Sequence, residues 1–334
     1  MIDTLEAERF GPLGDRPLWL TDACAPGAAV EAEAMATHSQ AVIIGLDPTG
    51  RLPAVDPAPF DALLTTASAP PRPWVAVPAS RWEDRLARIA AIVAAAPVAA
   101  CTAMRVLRIE ETLSFGDAIH LESLGYSALL GGAAFHRWRH DHARGAPVAH
   151  PSTAFVEIAR EDDHVTIDLA RPDRRNGMCA GMRDALFDAL AAVLDDPSRP
   201  TVCLSGRGAC FSTGGDLDEF GTASDLANAH AIRTARSCAL LLHRLGERAQ
   251  VLLHGACIGS GIEIAAAAPH RIGRTGVFFQ LPELTMGLMP GAGGTVTLPR
   301  AIGRHRTAAM LLTGRRIDGA TALAWGLLTA LEAA

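Results

Sequence analysis

The stretch 254-HGACIGSGIEIAAAA-268 decides the fold prediction. The apolar run at 249–255 is typical of a buried strand, and the glycine turn after it leads into an alanine-rich segment that favours a helix. Ser260 lies at the predicted helix start, with Glu263 in the first turn. A helix N-terminus presents unpaired N–H groups and a partial positive charge, which suits a developing oxyanion. The alternative is a structural glutamate that only favours the helix dipole.

A second stretch, 280-QLPELTMGLMPGAGGT-295, places another glutamate in an apolar setting. Pro282 restricts the chain before Glu283, and PGAGGT predicts a tight turn into a helix over 295–312. Taken alone, Glu283 is also compatible with a surface position after a strand. Two carboxyl groups in apolar surroundings have raised pKa values, so that one can donate a proton while the other activates water.

The third glycine-rich stretch is 206-GRGACFSTGGDLDEF-220, which follows the predicted buried strand at 201–205. Glycines let the backbone approach a ligand closely and expose N–H groups. The alternative is an ordinary turn between a strand and a helix, with Asp216 as a helix cap.

Several classes of protein are excluded or disfavoured by the sequence. A GxGxxG dinucleotide motif fails because Ile264 occupies its third glycine position, and a GxSxG elbow fails because Ile258 occupies its first. The basic residues are all arginine, so no lysine-based phosphate loop or Schiff base exists. A net charge of −6 argues against a nucleic-acid partner. No spaced His/Cys set indicates a metal site.

The cysteines and the apolar runs predict the compartment. The 7 cysteines form no CxxC pair and indicate free thiols in a reducing environment. No signal peptide pattern is present, and no apolar run reaches the roughly 18 residues of a membrane span. We therefore expect a cytoplasmic protein with no membrane partner.

A seam rich in proline, glycine and alanine at 143–153 divides the 334-residue chain. After it, short strands alternate with helices, which predicts an α/β domain. A hairpin is expected from 154–160 and 164–170, and two helices from 178–194 and 223–247. The first of these helices has an apolar face formed by Met182, Leu186, Leu190 and Val193. Before the seam we expect a strand at 40–47 and helices at 81–96, 97–108 and 115–132, the last capped by Ser114.

The motifs together resemble the crotonase superfamily, the enoyl-CoA hydratases and isomerases. The matching segments are FSTGGDLDEF, HGACIGSGIEIAAAA, FQLPELTMGLMPGAGGT and GRRIDGATALAWGLL, preceded by RPDRRN at 171–176. The resemblance implies an α/β core built as a spiral of ββα units over 153–334. It also implies an acyl-CoA thioester substrate, no cofactor beyond the coenzyme A of that substrate, and assembly as a homotrimer or a hexamer.

The resemblance also assigns residues. It implies that the backbone N–H groups of Thr213 and Ser260 hold the thioester oxygen, at positions where relatives more often have alanine or glycine. It implies that Glu263 helps to activate water and that Glu283 supplies a proton to Cα. The loop expected to receive coenzyme A is formed by Gly214, Gly215, Asp216 and Leu217, and the arginines expected to meet its phosphates are Arg174 or Arg175.

One departure concerns the order of the segments. The family continues after its AxxxGLV segment with helices that cover the acyl pocket, whereas this sequence ends at Ala334. Residues 74–140 resemble that missing tail, including an "LES" helix ahead of a final "F..W". We therefore expect a permuted arrangement in which the N-terminal region, 1–145, is helical in its second half and docks onto the core of its own subunit or of a neighbour.

The resemblance favours hydration of an enoyl-CoA because both glutamates are present. The alternatives within the superfamily are a double-bond isomerase, a thioester hydrolase and a cofactor-free dioxygenase. The alternative from another class is a non-catalytic scaffold subunit.

Overall fold

The computed structural model describes residues 7–142 and 154–332, so the predicted seam at 143–153 lies outside the described residues. The described parts are mixed α/β, as expected. The strands are β1 (Leu18–Asp22), β2 (Val42–Asp47), β3 (Ala62–Thr65), β4 (Trp74–Ala76), β5 (Val156–Glu161), β6 (His164–Leu169), β7 (Thr201–Gly206), β8 (Ala249–Leu253), β9 (Ala256–Ile258), β10 (His270–Arg274), β11 (Phe278–Gln280), β12 (Ile317–Asp318) and β13 (Ala330–Glu332).

The helices follow the predicted apolar periodicity, and short 3₁₀ turns lie at 79–81, 172–174, 246–248 and 283–286. The α-helices are α1 (Ala28–His38), α2 (Trp82–Ala95), α3 (Pro97–Glu110), α4 (Phe115–Leu130), α5 (Ala133–Asp141), α6 (Ala180–Asp195), α7 (Leu226–Ala235), α8 (Cys238–Leu245), α9 (Ser260–Ala265), α10 (Gly294–Ile302), α11 (Arg304–Thr313) and α12 (Gly319–Trp325).

The C-terminal half of the chain is organised by a six-stranded sheet in the order β13-β10-β8-β7-β6-β5. The predicted hairpin is confirmed, since β5 and β6 pair antiparallel with Val156 opposite Leu169, while the other neighbours pair parallel. A second, three-stranded sheet has the order β12-β11-β9. The predicted apolar face of α6 is also confirmed, because its four residues are buried.

Two predicted helices are each broken into two. The segment 223–247 forms α7 and α8, because Ser237 accepts a hydrogen bond from the backbone N–H of Leu240 and so starts a new helix. The segment 295–312 forms α10 and α11, separated by Gly303 with φ of 85°. Both breaks use local signals, a serine cap and a left-handed glycine, inside an otherwise continuous apolar pattern.

A four-stranded parallel sheet, β1-β2-β3-β4, forms the start of the N-terminal region. The sequence predicted only its second strand. That strand is a continuous apolar run because both of its faces are covered, as in other parallel sheets. Val42 and Ile44 face the main core, which continues into the C-terminal half of the chain, whereas Ile43 faces a smaller core with Phe60 and Met35.

Helices of the N-terminal region, which include the tail-like segment, pack on the core of the same chain. Helix α2 contacts α11, α3 contacts α10 and α11, and α4 contacts α10 and α7. The six-stranded sheet and these helices share one hydrophobic core. No single helix in the described ranges is long and apolar enough to cross a membrane; only α2 with its preceding turn and α3, taken together across a 104° bend, reach that length and hydropathy.

Arg304 is the most strongly engaged polar side chain of this junction. Although only 5% exposed, it donates to the carbonyls of Phe60 and Ala58, both at 2.6 Å, and to the Glu111 carboxylate at 2.9 Å. A buried guanidinium is tolerated when its donors are satisfied in this way. Arg304 therefore ties the start of α11 to the first sheet and to the end of α3.

We expect Arg304→Met to lower the free energy of unfolding by about 2–4 kcal/mol, because it leaves buried carbonyl groups without donors. Chemical denaturation followed by far-UV circular dichroism measures the change. Arg244→Met, at an exposed arginine, is the matched control and should alter stability by less than about 0.5 kcal/mol. Equal stability of the two variants would contradict a structural role for this junction.

Candidate active site

Two glycine-rich loops are held against each other by backbone pairing. The N–H of Ser212 donates to the carbonyl of Ala256, and the N–H of Ile258 donates back to Ser212, both at 3.1 Å. Gly261 permits this approach, since a Cβ at that position would lie 2.8 Å from the Ser212 carbonyl oxygen. The pairing places Thr213 and Ser260 beside one another on the wall of one cavity.

The backbone N–H groups of Thr213 and Ser260 differ in their hydrogen bonding. Ser260 is the first residue of α9, and its N–H has no hydrogen-bond partner among the described residues. Its hydroxyl is also buried without a partner. The N–H of Thr213 instead donates to the carbonyl of Arg175 at 3.1 Å. One N–H is therefore available to a ligand, while the other is shared with the protein backbone.

Glu263 is held by the glycine turn that the sequence predicted as a structural element. Its side chain is buried, and its Oε2 accepts hydrogen bonds from the N–H groups of Gly291 at 3.1 Å, Ala292 at 2.8 Å and Gly294 at 3.2 Å. A Cβ at Gly294 would lie 2.6 Å from the Glu263 Cγ, so this close approach requires glycine. The turn fixes one carboxylate oxygen and leaves Oε1 directed elsewhere.

Glu283 lies in a 3₁₀ turn directly after Pro282 and is buried, so its predicted alternative as a surface residue is wrong. Its Oε2 has no hydrogen-bond partner. Both glutamates face Gly259: a Cβ added there would be 2.8 Å from the Oε1 of Glu283 and 3.8 Å from the Oε1 of Glu263. The Oε1 atoms of the two glutamates therefore border the same small space.

Burial raises the pKa of both carboxyl groups. The pKa of Glu283 is raised to about 8 by burial, with repulsion from Glu122 acting in the same direction. The pKa of Glu263 is raised well above its usual range by burial and by the neighbouring Glu283 and Glu122, against the opposing effect of the turn N–H groups. At neutral pH the pair retains a proton, which is the condition for acid–base chemistry.

A third buried carboxyl group, Glu122, was not assigned from the sequence. It comes from α4 of the N-terminal region, and its Oε1 accepts from the N–H of Gly293 at 2.6 Å. Its Oε2 accepts from the N–H and the hydroxyl of Thr295, at 2.7 and 2.8 Å. Burial raises the pKa of Glu122, while these donors oppose the shift. The only sequence signal was its place in the "LES" helix that resembles the family's tail.

The glutamates open into a cavity of about 650 Å³ between the N-terminal helices and the core. Its walls come from α4, the loop 213–223, helix α7, the start of α9 and the turn 282–293. Every residue of the loop expected to receive coenzyme A, from Gly214 to Leu217, lines this cavity. Asp216 does not cap a helix, because turn residues follow it and the next helix begins at Leu226; its carboxylate forms a buried ion pair with Arg171 at 3.1 Å.

The two arginines expected to contact phosphates lie away from the cavity wall. Arg174 forms an ion pair with Asp218 at 3.1 Å. Arg175 is exposed and has a left-handed backbone, with φ of 51°. Their assignment to coenzyme A stays a prediction. Within the described ranges, no group of three or more His, Cys, Asp or Glu side chains is placed to hold a metal ion.

A cavity with paired buried carboxyl groups and a free helix-start N–H defines an acid–base site for a ligand with a polarisable oxygen. The chain belongs to the enoyl-CoA hydratase/isomerase family, whose family model matches residues 161–334. The match leaves the N-terminal region outside, as expected from the tail-like segment that precedes the core.

Individual relatives share less than a third of their residues with this chain. Enoyl-CoA hydratase domain-containing protein 2, mitochondrial, from Mus musculus is 31% identical over 198 residues, which are 57% of this chain and 67% of the relative. Fatty acid oxidation complex subunit alpha from a Shewanella species is 31% identical over 180 residues, which are 51% of this chain and only 25% of the relative. The chain therefore spans about two thirds of the first relative and a quarter of the second.

Among solved structures, the enoyl-CoA hydratase from Thermoplasma volcanium is similar with a TM-score of 0.49 and 29% identity, covering 54% of this chain and 72% of that one. An enoyl-CoA hydratase from Mycobacterium smegmatis is similar with a TM-score of 0.49 and 27% identity, covering 54% and 70%.

We expect Glu122→Gln to lower the free energy of unfolding by roughly 2–3 kcal/mol, because the new amide group would face an N–H donor in place of a carboxylate oxygen. Thermal and denaturant unfolding measure the change. Glu83→Gln, at an exposed glutamate of α2, is the matched control and should leave stability unchanged. If Glu122→Gln were as stable as the parent protein, the carboxylate would not be holding the turn.

Proposed function

We propose that the protein is an enoyl-CoA hydratase-like lyase that adds water across the 2,3 double bond of an acyl-CoA thioester. One observation carries the proposal: the Oε1 atoms of Glu263 and Glu283 border the same space beside Gly259, at the wall of the cavity. Membership of the enoyl-CoA hydratase/isomerase family supports an acyl-CoA as the substrate. The reaction as written needs water, an acid and a base, and no cofactor beyond the coenzyme A of the substrate.

The thioester oxygen is expected to lie at the start of α9. There the N–H of Ser260 is without a partner among the described residues. The N–H of Thr213 donates to the Arg175 carbonyl, and we propose that it is shared with the ligand in a bifurcated hydrogen bond. Donors at this point stabilise the enolate-like charge that develops when a nucleophile adds to the conjugated bond. The lining residues Gly214 to Leu217 then lie where the coenzyme A moiety would pass.

The different environments of the two glutamates suggest their roles. Glu263 has three N–H donors on Oε2, which oppose the rise of its pKa on burial, and the resemblance assigns it as the base that takes a proton from water. Glu283 has an unpartnered Oε2 and a pKa raised to about 8, so it is the acid. The water oxygen bonds to Cβ, the proton of Glu283 goes to Cα, and Glu263 takes a proton from the water. Transfer of that proton from Glu263 to Glu283 then restores the starting state of the pair.

The arrangement favours hydration over double-bond isomerisation and over a scaffold role. A double-bond isomerase moves one proton and needs one carboxyl group at the reacting carbons, whereas two are placed here. A scaffold subunit has no need for buried carboxyl groups that face a cavity, and their desolvation costs stability. From the resemblance we also propose assembly as a homotrimer or hexamer, and from the 7 cysteines without CxxC pairs we propose a reducing, cytoplasmic location.

A panel assay tests the reaction. Purified protein is offered trans-2-enoyl-CoA esters of short, long and aromatic type, and the loss of the conjugated thioester absorbance is followed. We expect turnover that falls by about 10²–10⁴-fold in Glu263→Gln and in Glu283→Gln, the usual range for loss of a general acid or base. Glu83→Gln is the control. Absence of turnover on every ester, with CoA esters still bound, would reject hydration in favour of another reaction of the superfamily.

The acid role of Glu283 predicts a pH dependence. Its pKa is raised, so the protonated form persists at neutral pH and is lost as the pH rises through about 8. We therefore expect kcat/KM for the best enoyl-CoA to decrease over that range. Rates are measured against an enzyme-free blank at each pH to correct for thioester hydrolysis. An increase of kcat/KM through the same range would contradict a protonated Glu283 in the active form.

A further inference from the structure

Arg233 is fixed in place on the cavity wall by helix α4. Its Nε donates to the hydroxyl of Ser123 at 3.2 Å, and its Nη2 donates to the Ser123 carbonyl at 3.4 Å and to the hydroxyl of Ser127. Its guanidinium carbon lies 5.0 Å from the centre of the Tyr126 ring. These contacts use one side of the guanidinium, so Nη1 remains without a hydrogen-bond partner among the described residues.

The charge of Arg233 is not matched by an ion pair within the described ranges. The other arginines on the same wall do have carboxylate partners: Arg183 pairs with Asp184 at 2.9 Å, and Arg236 pairs with Asp188 at 2.9 Å. Glu122 lies close enough to favour the charged form of Arg233, but its oxygens are used by Gly293 and Thr295. A half-buried guanidinium with free N–H groups facing a cavity is suited to bind an anion.

The position of Arg233 relative to the glutamates indicates which part of a ligand it would meet. The Tyr126 ring lies against Gly291, where an added Cβ would be 2.6 Å from a ring atom. The N–H of Gly291 in turn holds Glu263. The Tyr126 ring therefore contacts both Arg233 and the turn that holds Glu263, and these residues line the same cavity as the carboxyl pair. Under the proposed function that pair marks the reacting carbons, so Arg233 is placed to meet a different part of the ligand.

We propose that the acyl group of the substrate ends in a carboxylate, which Arg233 binds through Nη1 while Tyr126 packs against the intervening chain. The substrate class is therefore a short dicarboxylic enoyl-CoA. This inference rests on the proposed function for the placement of the reacting carbons. An Arg–carboxylate contact in a partly desolvated cavity discriminates strongly against a methyl end, since the apolar analogue leaves the guanidinium unpaired.

A matched substrate pair tests the inference: trans-2-hexenedioyl-CoA, which ends in a carboxylate, and trans-2-hexenoyl-CoA, which ends in a methyl group. We expect the native protein to have the higher kcat/KM for the dicarboxylic ester. In Arg233→Met the ratio of the two kcat/KM values should fall on the order of 30-fold, the usual effect of removing one partner of such a pair. Arg244→Met is the control, because that arginine is exposed and lies outside the cavity.

Other results would overturn the inference. A native preference for the methyl-ended ester rejects it without any variant, so the test does not depend on the folding of Arg233→Met. An equal loss for both esters in Arg233→Met would place the arginine on the phosphates of coenzyme A. An unchanged ratio would leave it as a link between α4 and α7. Arg233→Lys keeps the cation and should recover part of the selectivity.

Binding by calorimetry separates failure of this inference from failure of the proposed function. The saturated esters adipyl-CoA and hexanoyl-CoA have no double bond to hydrate. The ratio of their dissociation constants therefore reports on recognition of the terminal carboxylate, independently of turnover. Tighter binding of adipyl-CoA that is lost in Arg233→Met supports the carboxylate site even if no enoyl-CoA is turned over. Equal binding of both esters rejects the site even if hydration is observed.

Discussion

The turn 290–294 is clamped between two buried carboxylates, and the geometry of the site depends on this contact. The N–H groups of Gly291, Ala292 and Gly294 donate to Glu263, and those of Gly293 and of the following Thr295 donate to Glu122. Gly294 and Thr295 are the first residues of α10, where helix geometry leaves N–H groups without partners, and the other three donors lie in the turn before it. The two carboxylates satisfy the donors, and the donors reduce the cost of burying the carboxylates.

This clamp makes the two halves of the chain interdependent. Glu263 comes from the core, whereas Glu122 comes from a helix of the N-terminal region that precedes the family match. Removing either half would leave buried N–H groups or buried carboxyl oxygens unpaired. The junction is further fixed by Arg304, which donates to carbonyls of Ala58 and Phe60 in the connection that leads into β3. The tail-like region is therefore part of the site and not an appended domain.

The sequence was sufficient to predict the elements that carry strong local signals. The glycine turns, the amphipathic helix α6, the β5–β6 hairpin and the pairing of Glu263 with Glu283 follow from spacing and resemblance. The clamp could not be predicted, because Glu122 and Gly293 are 171 residues apart and no local pattern links them. The first sheet was missed for a related reason: its short strands pair parallel across long connections, and only β2 has a continuous apolar run.

Helix α4 connects the chemistry of the site to the choice of substrate. Its residues on the cavity wall fall on one helical face, because each lies three or four positions from another of the set: Ile119, Glu122, Ser123, Tyr126 and Leu130. On this face, Glu122 holds the turn that orients Glu263, and Ser123 holds Arg233 beside the Tyr126 ring. Any shift of α4 would displace the acid–base pair and the arginine together. Because α4 packs on α10 and α7, the position of Arg233 is linked through this one helix to the position of Glu263.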